Sequence, residues 1–320
     1  MTPATKLDIT VRRLAETDLD QADQIFRIAF GTFIGLPDPL TFMGDADLVR
    51  TRWHTDPASA FGAWVNGALV GSNFATNWGS IGFFGPLTVR PQFWDGGIGK
   101  RLMEPVLEQF EVWGTRHAGL FTFPHSQKHV GLYQRFGFWP RFLTAVMAKP
   151  VAPIASESSF WTRLSDVASD DRQEMFVRCR DVTHAVYDGL DVTAEIRSVA
   201  EQRLGDTVLL WRDEQLNGIA ICHSGPGTEA GSGTCYVKFG AVRPTQSAAD
   251  DFERLLSACE ELAAQHGASR VVAGVNTARH EAYVRMLARG FRTEIQGVAM
   301  QRASEPGYNR TGIYLIDDWR

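Results

Sequence analysis

Two short words of this sequence recur at one spacing, and that spacing limits the fold more than any other feature. Val89-Arg90-Pro91 returns as Val242-Arg243-Pro244, and Gly137-Phe138 returns as Gly290-Phe291, each displaced by 153 positions. A short word repeats by chance easily, but an equal offset at both ends of one β-α-β-α stretch arises by chance far less readily. A chain of 320 residues has room for two units of ordinary domain size, and 44% hydrophobic content supplies a core for each. The offset therefore points to tandem duplication, with a first unit over residues 1–150, a second over 157–304 and a tail over 305–320. The join at residues 149–159, KPVAPIASESS, is rich in Pro, Ser and Ala, has no period and reads as a link.

The first unit is organised around residues 87–101, LTVRPQFWDGGIGKR. Leu87 to Val89 is a short strand signal, Pro91 withholds a ladder donor, and Gly96, Gly97 and Gly99 permit a tight turn. Beyond the turn, Leu102, Val106, Phe110 and Trp113 recur at helical spacing, with Met103 and Leu107 alongside, and Gly114 stands where a helix commonly ends. In a strand–glycine–helix unit, consecutive backbone N–H groups converge on one spot and the helix dipole adds positive potential there. A pyrophosphate can bind without a metal. A tight βα turn with no ligand is the plainer alternative. The P-loop pattern G-x-x-x-x-G-K-[ST] is missing, and no acidic ribose reader follows, which weakens both nucleotide-binding alternatives.

Around this centre, residues 9–13 alternate as a strand and residues 18–30 carry Leu19, Ala22, Ile25, Phe26 and Ala29 at helical spacing. Residues 31–44 are turn-rich yet hold Phe33, Ile34, Leu36, Leu40, Phe42 and Met43, and a short helical run follows at 45–53. Such an apolar loop either lines a pocket or packs over the core. Residues 61–65 and 68–76 flank Asn66-Gly67, whose easy positive φ suits a two-residue hairpin. The stretches 81–90 and 119–123 complete a sheet with helices on both faces. In the second unit the strand–helix alternation restarts, with strands at 160–164, 207–212 and 218–223 and a helix at 170–183.

Net charge is −5 with no basic stripe, so a nucleic-acid partner is not expected. The N-terminus has no apolar stretch after Lys6, and nothing approaches a membrane span, so a soluble, cytoplasmic protein without a membrane partner is expected. Cys179, Cys222, Cys235 and Cys259 lie at wide spacing, without metal-ligand pairs. They read as buried thiols, and no metal is expected. The tail is apolar at Ile313 to Ile316 before Asp317-Asp318-Trp319-Arg320, and should dock as a strand or extended arm.

About thirty residues after the glycine turn comes HVGLYQRFGFWPR, residues 129–141. Together with Val89-Arg90-Pro91 and the glycine loop, this stretch resembles the acyl-coenzyme A site of the GNAT acetyltransferase superfamily: V-x-P, a Q/R-x-x-G-x-G/A loop, a helix, a strand, then L-Y-x-x-x-G-F. The resemblance covers roughly residues 9–149 well and the remainder weakly. One departure is that the loop begins with Trp94 in place of Gln or Arg. The resemblance implies a mixed α/β fold of two tandem GNAT-like domains, each a mixed, mostly antiparallel sheet flanked by helices. It implies acetyl-coenzyme A as cosubstrate and an amine as acceptor, with coenzyme contacts at Leu87, Val89, Trp94, Asp95, Gly96, Gly97, Ile98, Gly99, Lys100, Arg101 and Ser126. It assigns the oxyanion contact to the backbone N–H of Val89 and the acid to Tyr133, and it places residues 31–44 beside the acceptor pocket.

The family often places a carboxylate base on the strand before the loop, and residues 81–89 contain none. His125 and His129 are alternatives, since an imidazole is suited to taking a proton, and Asp317, Asp318 or the terminal carboxylate are others. In the offset register, Gly96, Gly97 and Gly99 correspond to Ala249, Asp250 and Phe252, Lys100 to Glu253 and Tyr133 to Met286. These changes oppose phosphate binding, while Phe252, Leu255, Leu256, Cys259, Leu262 and Ala263 keep a helical apolar face. The second unit is expected to keep the fold without the site. The two functional readings are an acetyl-coenzyme A-dependent N-acetyltransferase and a non-catalytic acyl-coenzyme A-binding scaffold or sensor; a homo-oligomer is compatible with both.

Overall fold

The structure, a computed structural model, describes residues 8–152 and 159–320. In chain order the elements are β1 Ile9–Arg13, α1 Leu19–Ile34, α2 Val49–Thr55, β2 Ala60–Val65, β3 Ala68–Trp78, β4 Ile81–Phe84, β5 Thr88–Val89, α3 Ile98–Trp113, β6 His117–Thr122, α4 Gln127–Gln134 and β7 Phe138–Pro150. They continue as β8 Trp161–Arg163, α5 Arg172–Val186, α6 Thr193–Gln202, β9 Gly205–Arg212, β10 Gln215–Gly225, β11 Gly231–Val242, α7 Ala248–Gln265, β12 Arg270–Asn276, α8 His280–Ala288, β13 Arg292–Arg302 and β14 Leu315–Ile316. Of the link expected at 149–159, Lys149 and Pro150 end β7 and residues 153–158 lie outside the described residues.

The result is a mixed α/β fold in which one sheet runs β1-β2-β3-β4-β6-β13-β7-β12-β11-β10-β9-β8, flanked by helices, with β5 paired to β3 and β14 to β11. Most neighbours are antiparallel; β4–β6 and β11–β12 are parallel. At the centre the two halves exchange strands. β13 enters between β6 and β7, so that β7 pairs with β13 and β12, both from the C-terminal half. The separation of 153 also relates Ile81↔His117 in β4–β6 to Thr234↔Arg270 in β11–β12, the start of α1 to that of α5, and the start of α4 to that of α8.

Local sequence explains most element ends. Asn66 (φ 50°) and Gly67 (φ 79°) form the turn between β2 and β3. α1 runs past the turn signal at Gly31 to Ile34 because Gly31 has no side chain to meet Pro39, and Gly35 (φ 77°) ends it. The stretch 81–90 is two strands. Gly85-Pro86 interrupts it, so β4 stays with β6 while β5 stays with β3, and a gap opens between β5 and β6. α3 buries Ile98, Leu102, Met103, Val106 and Phe110 against this part of the sheet, worth about 1.5–3 kcal/mol for each large side chain. The tail docks through β14, by Arg279 Nη2 to Asp317 Oδ1 (2.7 Å), and by Tyr236 donating to Asp318 Oδ1 (2.9 Å). Trp319 lies against Gly119, where a side chain could not fit.

All four cysteines are buried and free. Among the described residues, no helix is long and apolar enough to cross a membrane, and no group of three His, Cys, Asp or Glu is arranged to hold a metal.

Two histidines are buried as neutral rings. Burial pushes the pKa of His117 down to about 4, helped by Arg141, and that of His223 down to about 3, helped by Lys238. Neither His223 nitrogen has a hydrogen-bond partner among the described residues. Below pH 6.5 the unfolded chain takes up these protons before the folded chain does, so stability is full above that pH and falls toward the folded-state values. Each ring should contribute a slope of about 1.4 kcal/mol per pH unit there. Urea unfolding at pH 7 and pH 5 should show the loss, and a His223→Asn variant that still folds should lose less.

Candidate active site

The gap between β5 and β6 continues into a cleft of about 680 Å³, walled by α1, the β5–α3 loop, the first turn of α3, and α4. Leu87, Thr88 and Val89 form its floor, and Phe93, Trp94, Asp95, Gly97, Ile98, Gly99 and Lys100 form one side. Gly97 (φ 80°) is the N-cap of α3, and Asp95 also adopts a left-handed conformation (φ 66°). The first intrahelical bond of this turn is Arg101 N–H to the Gly97 carbonyl (3.2 Å), so the preceding first-turn N–H groups of Ile98, Gly99 and Lys100 have no helical acceptor. They open on the cleft. A side chain at Gly99 would stand 3.4 Å from Leu132 and 3.7 Å from Leu87.

The opposite wall is α4, capped by Ser126, whose hydroxyl accepts from His129 N–H at 3.4 Å. Lys128, Gly131, Leu132 and Arg135 fall on one helical face and all line the cleft. The lining holds Lys100, Lys128 and Arg135 against a single carboxylate, Asp95, which Lys128 meets at 2.7 Å. In a chain of net charge −5, a cleft with surplus positive charge beside a helix N-terminus selects for an anion.

The floor has a polarity of its own. Arg90 N–H donates to the Val70 carbonyl (2.8 Å), which makes Gly71↔Val89 a non-hydrogen-bonded pair of the β3–β5 ladder. Val89 therefore turns its N–H and C=O away from β3, on the side where the gap opens. Trp94 takes the C=O, its indole N–H donating at 2.7 Å. That leaves the Val89 N–H as the donor presented at this edge. The polar contact expected of Gln or Arg at position 94 is thus replaced by an indole that fixes the strand end.

Tyr133 does not line the cleft. It is 7% exposed, packs edge-on against Phe84 at 5.7 Å, and its hydroxyl has no hydrogen-bond partner among the described residues. Burial pushes its pKa up, so the phenol stays protonated. His129 lies one helical turn before it and does line the cleft. Burial lowers the His129 pKa, with Lys128 and His125 adding to the effect. Both histidines pack on Phe33 of α1, His129 at 5.0 Å and His125 stacked at 5.8 Å, and His125 is exposed outside the cleft lining.

Of the expected contacts, Leu87, Val89, Trp94, Asp95, Gly97, Ile98, Gly99, Lys100 and Ser126 line the cleft, and Gly96 and Arg101 do not. Arg101 is half exposed and faces Glu104 at 3.5 Å. The sequence reading missed Lys128, Leu132 and Arg135, whose spacing at one helical face was legible, and Phe30; Phe33, expected in an apolar loop beside the acceptor pocket, lines the cleft from α1.

The corresponding place in the C-terminal half is built differently. α7 begins at Ala248, three residues before the position matching Ile98, so Ala249 and Asp250 stand inside the helix. Asp251 is buried at its first turn and accepts from Ser247 (2.8 Å), Arg212 (2.6 Å) and Asn217 (3.4 Å). Phe252 is in the core, and so is Met286 at the position of Tyr133.

The Acetyltransferase (GNAT) family matches residues 23–138. Among solved structures, a candidate acetyltransferase from Pyrococcus horikoshii aligns over 97% of this chain and 95% of its own at 14% identity, with a TM-score of 0.68. A GCN5-related N-acetyltransferase from Sphaerobacter thermophilus aligns over 92% and 95% at 15% identity, TM-score 0.57. The GCN5-related glucosamine N-acetyltransferase region of a fungal multi-domain β-N-acetylglucosaminidase aligns over 92% of this chain and 38% of that one at 12% identity, TM-score 0.61. At these identities the likeness is one of fold. No curated protein matches the sequence.

Proposed function

We infer, from a chain that carries a GNAT acetyltransferase domain over residues 23–138, that the protein is an acetyl-coenzyme A-dependent N-acetyltransferase with its active site in the N-terminal half. The observation that carries this reading is the meeting, in one cleft, of a cationic glycine-bordered helix N-terminus and the outward Val89 N–H. The residues fit the coenzyme: a phosphate group suits the α3 first turn with Lys100 and Lys128, and an extended apolar arm suits the floor between Leu87 and Leu132. When bound, the acetyl thioester supplies an electrophilic carbonyl and a thiolate leaving group.

The residues of the chain then divide the work. Val89 N–H donates to the carbonyl oxygen as negative charge grows there. His129, held neutral, takes the proton that the amine sheds as the C–N bond forms. Tyr133, the acid that the resemblance assigns, gives its phenolic proton to the sulfur as the C–S bond breaks and regains one from solvent, which requires its hydroxyl to reach the cleft from behind the lining. His125, outside the lining, is the weaker candidate for the base. The division into residues 1–150, 157–304 and 305–320 belongs to the same reading, with the second unit as a duplicate whose site has been filled.

The reading is tested by release of free thiol across a panel of amines at fixed acetyl-coenzyme A. Turnover with at least one amine is expected. The absence of a carboxylate on β4 and β5 favours the alternative of a non-catalytic acyl-coenzyme A-binding scaffold, which predicts coenzyme binding without turnover. Calorimetry should find one coenzyme per chain, because in the C-terminal half the matching helix starts three residues earlier and carries a buried carboxylate, Asp251, in its first turn. Two sites per chain would overturn that assignment.

A further inference from the structure

We propose that Glu229, a residue of the C-terminal half, is a positioning residue for the reactive strand of the N-terminal half, acting through Arg52. The proposal rests on the reading of Val89 as the oxyanion donor and goes beyond it by giving the second half a part in the reaction.

Arg52, on α2, is buried, and its guanidinium is divided between the two halves. Nε and Nη2 donate to Glu229 Oε1 and Oε2 at 3.1 and 2.9 Å, while Nη1 donates to the Gly85 carbonyl at 2.7 Å. Nη2 also reaches the Arg320 carbonyl. Gly85 is the residue at which β4 and β5 part, four positions before Val89, and Pro86 offers no N–H to hold the bend from its other side. A planar guanidinium fork has one orientation once a carboxylate grips two of its donors. Gly85 N–H is held by the Phe74 carbonyl of β3 at 2.8 Å, so the bend is anchored to β3 on one side and by Nη1 on its carbonyl side, and Glu229 sets where Nη1 points.

Glu229 is itself fixed. Its Oε1 accepts from Lys238 at 2.8 Å, and Lys238 pairs with Glu195 at 2.9 Å. Burial alone would raise the Glu229 pKa, but Arg52 and Lys238 outweigh it and hold the carboxylate well below its ordinary value. The turn that carries Glu229, between β10 and β11, is tied to the segment leading into α2. Gly227 N–H donates to Asp45, Asp47 N–H to Thr228, and Ser232 N–H to the Asp45 carboxylate, at 3.0, 2.9 and 2.8 Å. The duplicate half thus grips both the helix that carries Arg52 and the charge that aims it.

The test compares Glu229→Gln, which keeps the shape and removes the charge, with Asp251→Asn, which neutralises an equally buried carboxylate, paired with partly exposed arginines, remote from the cleft. Three quantities are read: kcat at saturating coenzyme, coenzyme Kd by calorimetry, and the backbone amide signal of Val89 in protein labelled with ¹⁵N-valine, assigned by its loss in Val89→Ile. Glu229→Gln should lower kcat about 10- to 100-fold, as expected for a displaced catalytic donor, with Kd changed by less than about threefold, and it should move the Val89 signal. Asp251→Asn should lower the melting temperature and do none of these things. An unmoved Val89 signal in folded Glu229→Gln, or equal losses of kcat in the two variants, would overturn the proposal. If Glu229→Gln does not fold, Arg52→Lys serves, because an ammonium keeps the charge without the fork; an unmoved Val89 signal there overturns the proposal equally. The amide signal needs no turnover, so failure of the acetyltransferase reading is separable from failure of this one.

Discussion

Gly99→Asp should abolish coenzyme binding in a protein that still folds. Gly99 is in the first turn of α3 with a backbone that other residues adopt, and an added Cβ meets only side-chain carbons, Leu132 at 3.4 Å and Leu87 at 3.7 Å. The carboxylate would stand across the floor of the cleft and beside the first-turn N–H groups that are to receive an anion. It repels the ligand and offers those donors a partner from within. Kd should rise about 100-fold or more, equivalent to about 2.7 kcal/mol, as read by calorimetry with a melting curve to establish folding. Gly97→Asp is the less clean variant. It has open space around the new Cβ but must hold φ near 80°, so it adds backbone strain to the charge effect. Unchanged affinity in folded Gly99→Asp would remove this cleft from the account.

Tyr133→Phe should slow turnover roughly 10²- to 10⁴-fold if the phenol is the acid, with coenzyme affinity almost unchanged. The structure makes this substitution informative because the ring, packed on Phe84 among the core of the N-terminal half, keeps its contacts, and the hydroxyl loses no partner among the described residues. Stability should hold, since no hydrogen bond among the described residues is lost and the ring contacts remain. A rate unaltered where chemistry is limiting would leave Tyr133 as a packing residue. The contrast with Met286, buried at the matching place in the C-terminal half, is the one expected if the proton donor is needed only once per chain.

The sequence by itself determined the local parts of this protein. The strand–glycine–helix unit, the α4 stretch with Tyr133, the Asn66-Gly67 turn and the matching offsets in both halves are properties of neighbours along the chain, and short-range sterics and periodicity express them. Most of the cradle was legible for that reason: Leu87, Val89, Trp94, Asp95 and Gly97 to Lys100 lie in one short stretch, and a loop between a strand and a helix has few ways to fold. Tertiary structure alone decided the rest. That β13 crosses to sit beside β6 depends on pairing choices between strands far apart in sequence, which alternation within each strand does not encode. That the chain leaves β6 at Gly85, that Trp94 closes on Val89, and that Arg52 reaches Glu229, 177 positions away, depend on which groups meet once the core has formed. Charge pairs of this kind leave no periodic trace in the sequence. The cost of burying a charge is settled by its partner, and the partner is chosen by the fold.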